Sequence, residues 1–82
     1  MNYVGLTERL IKSLVSDLET VSVKEFESTD ENKVMIEVLV SESDLPRVIG
    51  RGGKTINAIR TILKASSSLN DHKYININVE SF

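Results

Sequence analysis

Leucines at positions 6, 10, 14 and 18 recur every four residues, with Ile11, Val15 and Val21 beside them. That spacing predicts a helix over about residues 7–19 with one apolar stripe. Residues 23–27 alternate poorly over a short span and predict a strand. The polar run Ser28-Thr29-Asp30-Glu31-Asn32 is rich in turn formers and predicts a hairpin connection. Val34, Ile36, Val38 and Val40 then share one face of a second strand, with Met35, Glu37 and Leu39 on the other. Apolar residues on both faces predict an inner strand.

Ser43 is a candidate helix N-cap, with Asp44 at the positive end of the dipole and Pro46 in the first turn, the only place an α-helix readily accepts it. A capping-box-like pairing of Ser41 with Asp44 is the competing start. From either start Leu45, Val48 and Ile49 share one side of a very short helix. Gly50-Arg51-Gly52-Gly53 ends it, because three glycines in four positions form helices poorly and turns readily. Residues 54–65 restart a helix, with Ile56, Ile59 and Leu63 on its apolar side. The serine-rich stretch 65–73 predicts a loop. Tyr74 to Glu80 alternates as a strand, with Ile75, Ile77 and Val79 inward and Asn76, Asn78 and Glu80 outward. The order is α-β-β-α-α-β, with no internal repeat.

Composition narrows the chemistry. The 82 residues include no cysteine and one histidine, and 40% are hydrophobic, which suits one modest core and one domain over 1–82. Without cysteine there is no disulfide, thiolate metal site or cysteine nucleophile. His72 stands alone in a polar stretch without the partners of a metal or catalytic site, so neither an enzyme nor a metal or cofactor is expected. No stretch reaches the roughly 20 apolar residues of a membrane span, and a cytoplasmic location is expected. The carboxylates of the first half read as exposed charges that favour solubility. The four aromatics, Tyr3, Phe26, Tyr74 and Phe82, are too few and scattered for a sheet that stacks bases.

A formal net charge of −2 argues at first sight against a nucleic-acid ligand. Its distribution reverses that argument. Residues 1–43 carry −5, residues 44–64 carry +4 and residues 65–82 carry −1. The basic segment holds Arg47, Arg51, Lys54, Arg60 and Lys64 against Asp44 alone. At a Debye length of about 8 Å a ligand feels this patch more than the total.

One left-handed glycine would end the first helix of the basic segment, so three suggest a backbone that a ligand approaches closely. Gly53-Lys54-Thr55 fits the end of a P-loop, but position 48, where that motif needs glycine, is Val48. The dinucleotide fingerprint would need its third glycine at Thr55. What remains is helix, Gly-x-x-Gly, helix, with backbone N–H groups of the loop and next helix start open to phosphate oxygens. Arg51, between glycines, has no packing role and reads as a phosphate contact, as does Lys54. Arg60 is open between solvation and contact.

Val48-Ile49-Gly50-Arg51-Gly52-Gly53-Lys54-Thr55-Ile56-Asn57-Ala58-Ile59 resembles the core of the KH domain, and the element order resembles its type II, bacterial form. The chain from about residue 6 to 80 is similar to the KhpA family of small bacterial single-KH proteins. The resemblance implies an α+β fold with a three-stranded mixed sheet and helices packed on one face. It implies a clamp for single-stranded RNA formed by Gly50, Arg51, Gly52 and Gly53, assisted by Arg47, Ile49, Lys54 and Asn57. Bases would lie in an apolar groove beside Val48 and Ile49, and the variable loop would bring Asn70, His72 and Lys73 near the RNA. It further implies an RNA chaperone or post-transcriptional regulator that forms a homodimer and pairs with a larger KH protein of the KhpB/Jag family. Thr55, Ala58 and Ile62 lie off the core face and leave an apolar flank for such pairing. The competing reading is a KH scaffold used for protein–protein contact.

Overall fold

The computed structural model describes residues 2–26 and 28–82. Its order is α1 (Tyr3–Lys12), β1 (Ser22–Phe26), β2 (Lys33–Val40), α2 (Leu45–Ile49), a 3-10 turn (Arg51–Gly53), α3 (Lys54–Leu69) and β3 (Tyr74–Ser81). The sheet runs β1-β2-β3, so β2 is the inner strand as predicted. It pairs antiparallel with β1 and parallel with β3. Helices cover one face, where Val34, Ile36, Val38, Val40, Ile75 and Ile77 meet Ile11, Val48, Ile56, Ile59 and Leu63 in one buried cluster. The second face of β2 is different: Met35 is exposed and Glu37 and Leu39 are half-buried, with no helix over them.

The first helix lies earlier than the leucine spacing predicts. Asn2 caps it, its Oδ1 accepting from the Gly5 N–H at 2.9 Å. Its deepest residues are Tyr3, Thr7 and Ile11, while Leu6, Leu10 and Leu14 pack around them half-buried. Continuation to residue 19 is prevented from outside the segment. The N–H groups of Ser16 and Asp17, which a continuing helix would direct at carbonyls one turn back, instead donate to the Asp44 carboxylate at 3.0 Å each. Leu18 is therefore left beyond the helix and exposed.

Asp44, not Ser43, occupies the N-cap position of α2, and its side chain makes no capping bond there. It is 1% exposed and accepts from the Ser16 hydroxyl at 2.8 Å and the Ser41 hydroxyl at 2.9 Å besides the two amides. The Ser41–Asp44 pairing thus forms, as a side-chain bond rather than a capping box. The backbone N–H groups of Ser16 and Asp17, with the hydroxyls, hold the Asp44 carboxyl well below the usual carboxylate range, against the opposing effect of burial.

The serine run does not unwind. α3 continues to Leu69, and the loop contracts to residues 70–73. Serine inside a helix is only mildly unfavourable, and Ser67 is buried and used. Its hydroxyl donates to the Lys73 carbonyl and accepts from the Lys73 N–H, while its carbonyl receives the N–H groups of Asn70, Asp71 and His72. His72 sits at φ 55° to close the turn. The Tyr3 hydroxyl donates to Asp71 and ties α1 to this turn. β1 ends at Phe26; Glu27, which the sequence places in the strand, lies outside the described residues.

Candidate functional site

The glycine turn is built from both sides. α2 stops because Gly50 leaves helical space, at φ 77° and ψ 169°, while its N–H still donates to the Pro46 carbonyl at 2.9 Å. Gly52 and Gly53 follow at φ 63° and 79°. All three glycines therefore hold a positive φ, more than the single left-handed position expected from sequence. They differ in what surrounds them. A Cβ on Gly50 would fall 2.7 Å from the Thr55 backbone nitrogen, whereas nothing lies within 4 Å of a Cβ on Gly52.

The supply of free amides is smaller than expected. The Gly53 N–H donates to the Gly50 carbonyl at 3.1 Å, and the Lys54 N–H donates to the Arg51 carbonyl. An anion at the loop would draw correspondingly more on side-chain charge. That charge is present. Arg47, Arg51, Lys54, Arg60 and Lys64 are all exposed, while Asp44, the one acid of residues 44–64, is buried and saturated with hydrogen bonds. Every exposed charge of this segment is therefore positive, which sharpens the +4 counted along the chain.

Of the predicted site residues, Gly50 to Gly53 form the turn, with Arg47 just before it and Lys54 and Asn57 on the first turn of α3. Asn57 approaches the loop, its Nδ2 3.6 Å from where a Gly53 Cβ would stand. Ile49 is half-buried against the core and keeps some surface, but Val48 is 0% exposed. Val48 is thus core and unavailable to line a groove. Arg60 is not a free solvent cation: it donates to the Asn57 Oδ1 at 2.9 Å and to the Ile77 carbonyl of β3 at 3.3 Å. Sequence reasoning missed both Arg60's anchoring and Asp44's burial, since each depends on a partner 17 or more residues away.

Asn70, His72 and Lys73 are exposed at the far end of α3, where His72, Lys73, Lys64 and Tyr74 line a shallow depression. Along α3, Ala58, Ile62, Ala65 and Leu69 form an exposed stripe that extends the flank expected from Ala58 and Ile62. Leu69 is 84% exposed. Among the described residues no group of three or more histidines or carboxylates is placed to hold a metal ion, and no helix is long and apolar enough to cross a membrane.

Comparison with known proteins gives a consistent assignment. The profile of the KhpA/KhpB KH domain matches residues 5–79. The chain is 36% identical over 74 residues to the RNA-binding protein KhpA of Thermotoga maritima, covering 90% of this chain and 93% of that one. It is 37% identical over 70 residues to the protein of that name from Clostridium perfringens, covering 85% and 91%. The KhpA of Chlamydia caviae is 39% identical over 64 residues, covering 78% and 80%. In fold it resembles part of Aquifex aeolicus Era, with a TM-score of 0.66 at 17% identity, over 96% of this chain and 29% of that one.

Proposed function

Because the chain belongs to the KhpA/KhpB family of KH domains, we propose that it binds single-stranded RNA as a single KH module. The glycine turn grips the sugar-phosphate backbone. Arg51 and Lys54 supply charge to the phosphates, Arg47 approaches from the α2 side, and Asn57 offers its amide beside Gly53. Ile49 contributes apolar surface beside the first bases. The relatives' name, RNA-binding protein, supports this reading. The observation that carries it is the burial of Asp44, which leaves every exposed charge on the segment that frames the turn positive.

With roughly two to four phosphates neutralised, the logarithm of the association constant for a short single strand should fall with log[salt] at a slope of about −1.4 to −2.8. Fluorescence anisotropy across a salt series measures it, and a slope near zero would remove the cationic segment from the contact.

In the cell the role would be that of a cytoplasmic RNA chaperone or post-transcriptional regulator. The Ala58–Ile62–Leu69 stripe would serve a homodimer, and a larger KhpB/Jag-type KH protein is the further partner. Two clamps in one particle raise avidity without new contacts to RNA. Ile62→Glu should shift sedimentation velocity to the monomer; an unchanged coefficient would place the interface elsewhere.

A further inference from the structure

We infer that the open face of the sheet holds a second RNA subsite, which takes one base of the strand beyond the four-nucleotide grip of the glycine turn. The inference rests on the RNA reading above. Strand register defines the site. Phe26 of β1, Met35 of β2 and Asn76 of β3 form one row across the uncovered face, and Lys24, Glu37 and Asn78 form the next. Strand spacing makes this patch about 10 Å across and rows two residues apart make it about 7 Å deep, comparable to the face of one nucleobase. Phe26, Met35, Glu37, Asn76, Asn78 and Arg60 border a concavity of about 420 Å³ there.

The two rows offer the two things a base needs. Phe26 and Met35, 48% and 38% exposed, present an aromatic ring and a thioether, both good partners for a π-face. Beside them, Glu37 and the two asparagines present hydrogen-bonding groups, and no described residue donates to the Glu37 carboxylate. An ionised carboxylate accepts only, so it repels phosphate and suits a base edge with two adjacent donors, as in guanine.

Arg60 connects this patch to the glycine turn. It sits nearly two helical turns beyond the start of α3, bonded to Asn57 on one side and to the Ile77 carbonyl on the other, and it borders the concavity. Two of its donors are used in those bonds, which leaves others for a phosphate as the strand crosses β3. The path from glycine turn to sheet face is therefore continuous, with a cation at the crossing.

The test is a guanine scan: uridine heptamers carrying one guanine at each position in turn, with the uridine tetramer as reference, measured by anisotropy. The wild-type protein should favour guanine at one position outside the tetramer footprint, by roughly fivefold to a hundredfold, the range by which one paired edge contact discriminates against a wrong base. Phe26→Ala, at an exposed position, and Glu37→Gln, nearly isosteric at a half-buried one, should each reduce that gain while leaving tetramer affinity unchanged. A flat scan, or a gain that survives both substitutions, would overturn the subsite. So would self-association lost on Phe26→Ala with guanine discrimination intact, which would give the face to a protein contact. Failure of the tetramer itself to bind would instead count against the glycine turn as the RNA clamp, so the two readings fail separately.

Discussion

The three glycines of the turn look alike in sequence and are unequal in structure. Gly50 combines a positive φ with ψ 169°, a region open in practice only to glycine, at a cost of roughly 1–3 kcal/mol for other residues. A side chain there would also press on Thr55. Gly52, at φ 63° and ψ 20° in open space, sits where asparagine and aspartate are accommodated. Gly50→Ala should therefore lose about 2–3 kcal/mol in urea denaturation, and Gly52→Asn about 1 kcal/mol or less. Equal losses would contradict this division. The motif was legible from the sequence because its isoleucines keep helical spacing on both sides. The rank among its glycines was not, because it depends on backbone angles and on Thr55 folding back over Gly50.

At the scale of elements, legibility followed sequence distance. β2 and β3 alternate over neighbouring residues, and their placement agrees with the pattern. The error in α1 has a remote cause: the amides of Ser16 and Asp17 answer a carboxylate 27 and 28 residues away, which no local periodicity records. The serine run 66–68 misled for the opposite reason, since buried Ser67 closes the helix on β3 instead of ending it early. Asp44 thereby fixes the α1–β1 connection to the start of α2, the helix that delivers the glycine turn. Its carboxyl titrates below its unfolded value of about 3.9, so its contribution is complete above about pH 4 and is lost on acidification toward the folded value. Asp44→Asn should be less stable than wild type at neutral pH, with the gap between their urea midpoints narrowing below about pH 4. Parallel curves through the acid limb would show that the charge of Asp44 contributes nothing.

For the whole molecule, net charge is the misleading quantity and its placement the informative one. An acidic chain of −2 folds so that one carboxylate disappears inside and five cations remain exposed along the segment that carries the glycine turn. The acidic first half would then disfavour polyanions that do not engage that turn. The open sheet face was hidden from sequence because Phe26 and Tyr74 stand 48 positions apart, yet alternation puts both on the same uncovered side. The direct test of the RNA clamp is the double substitution Arg51→Asp with Gly52→Asp, at an exposed residue and an open left-handed one. Single-stranded RNA affinity by anisotropy, taken beside the thermal midpoint, is predicted to vanish while the fold persists. Wild-type affinity in the folded double variant would contradict the clamp.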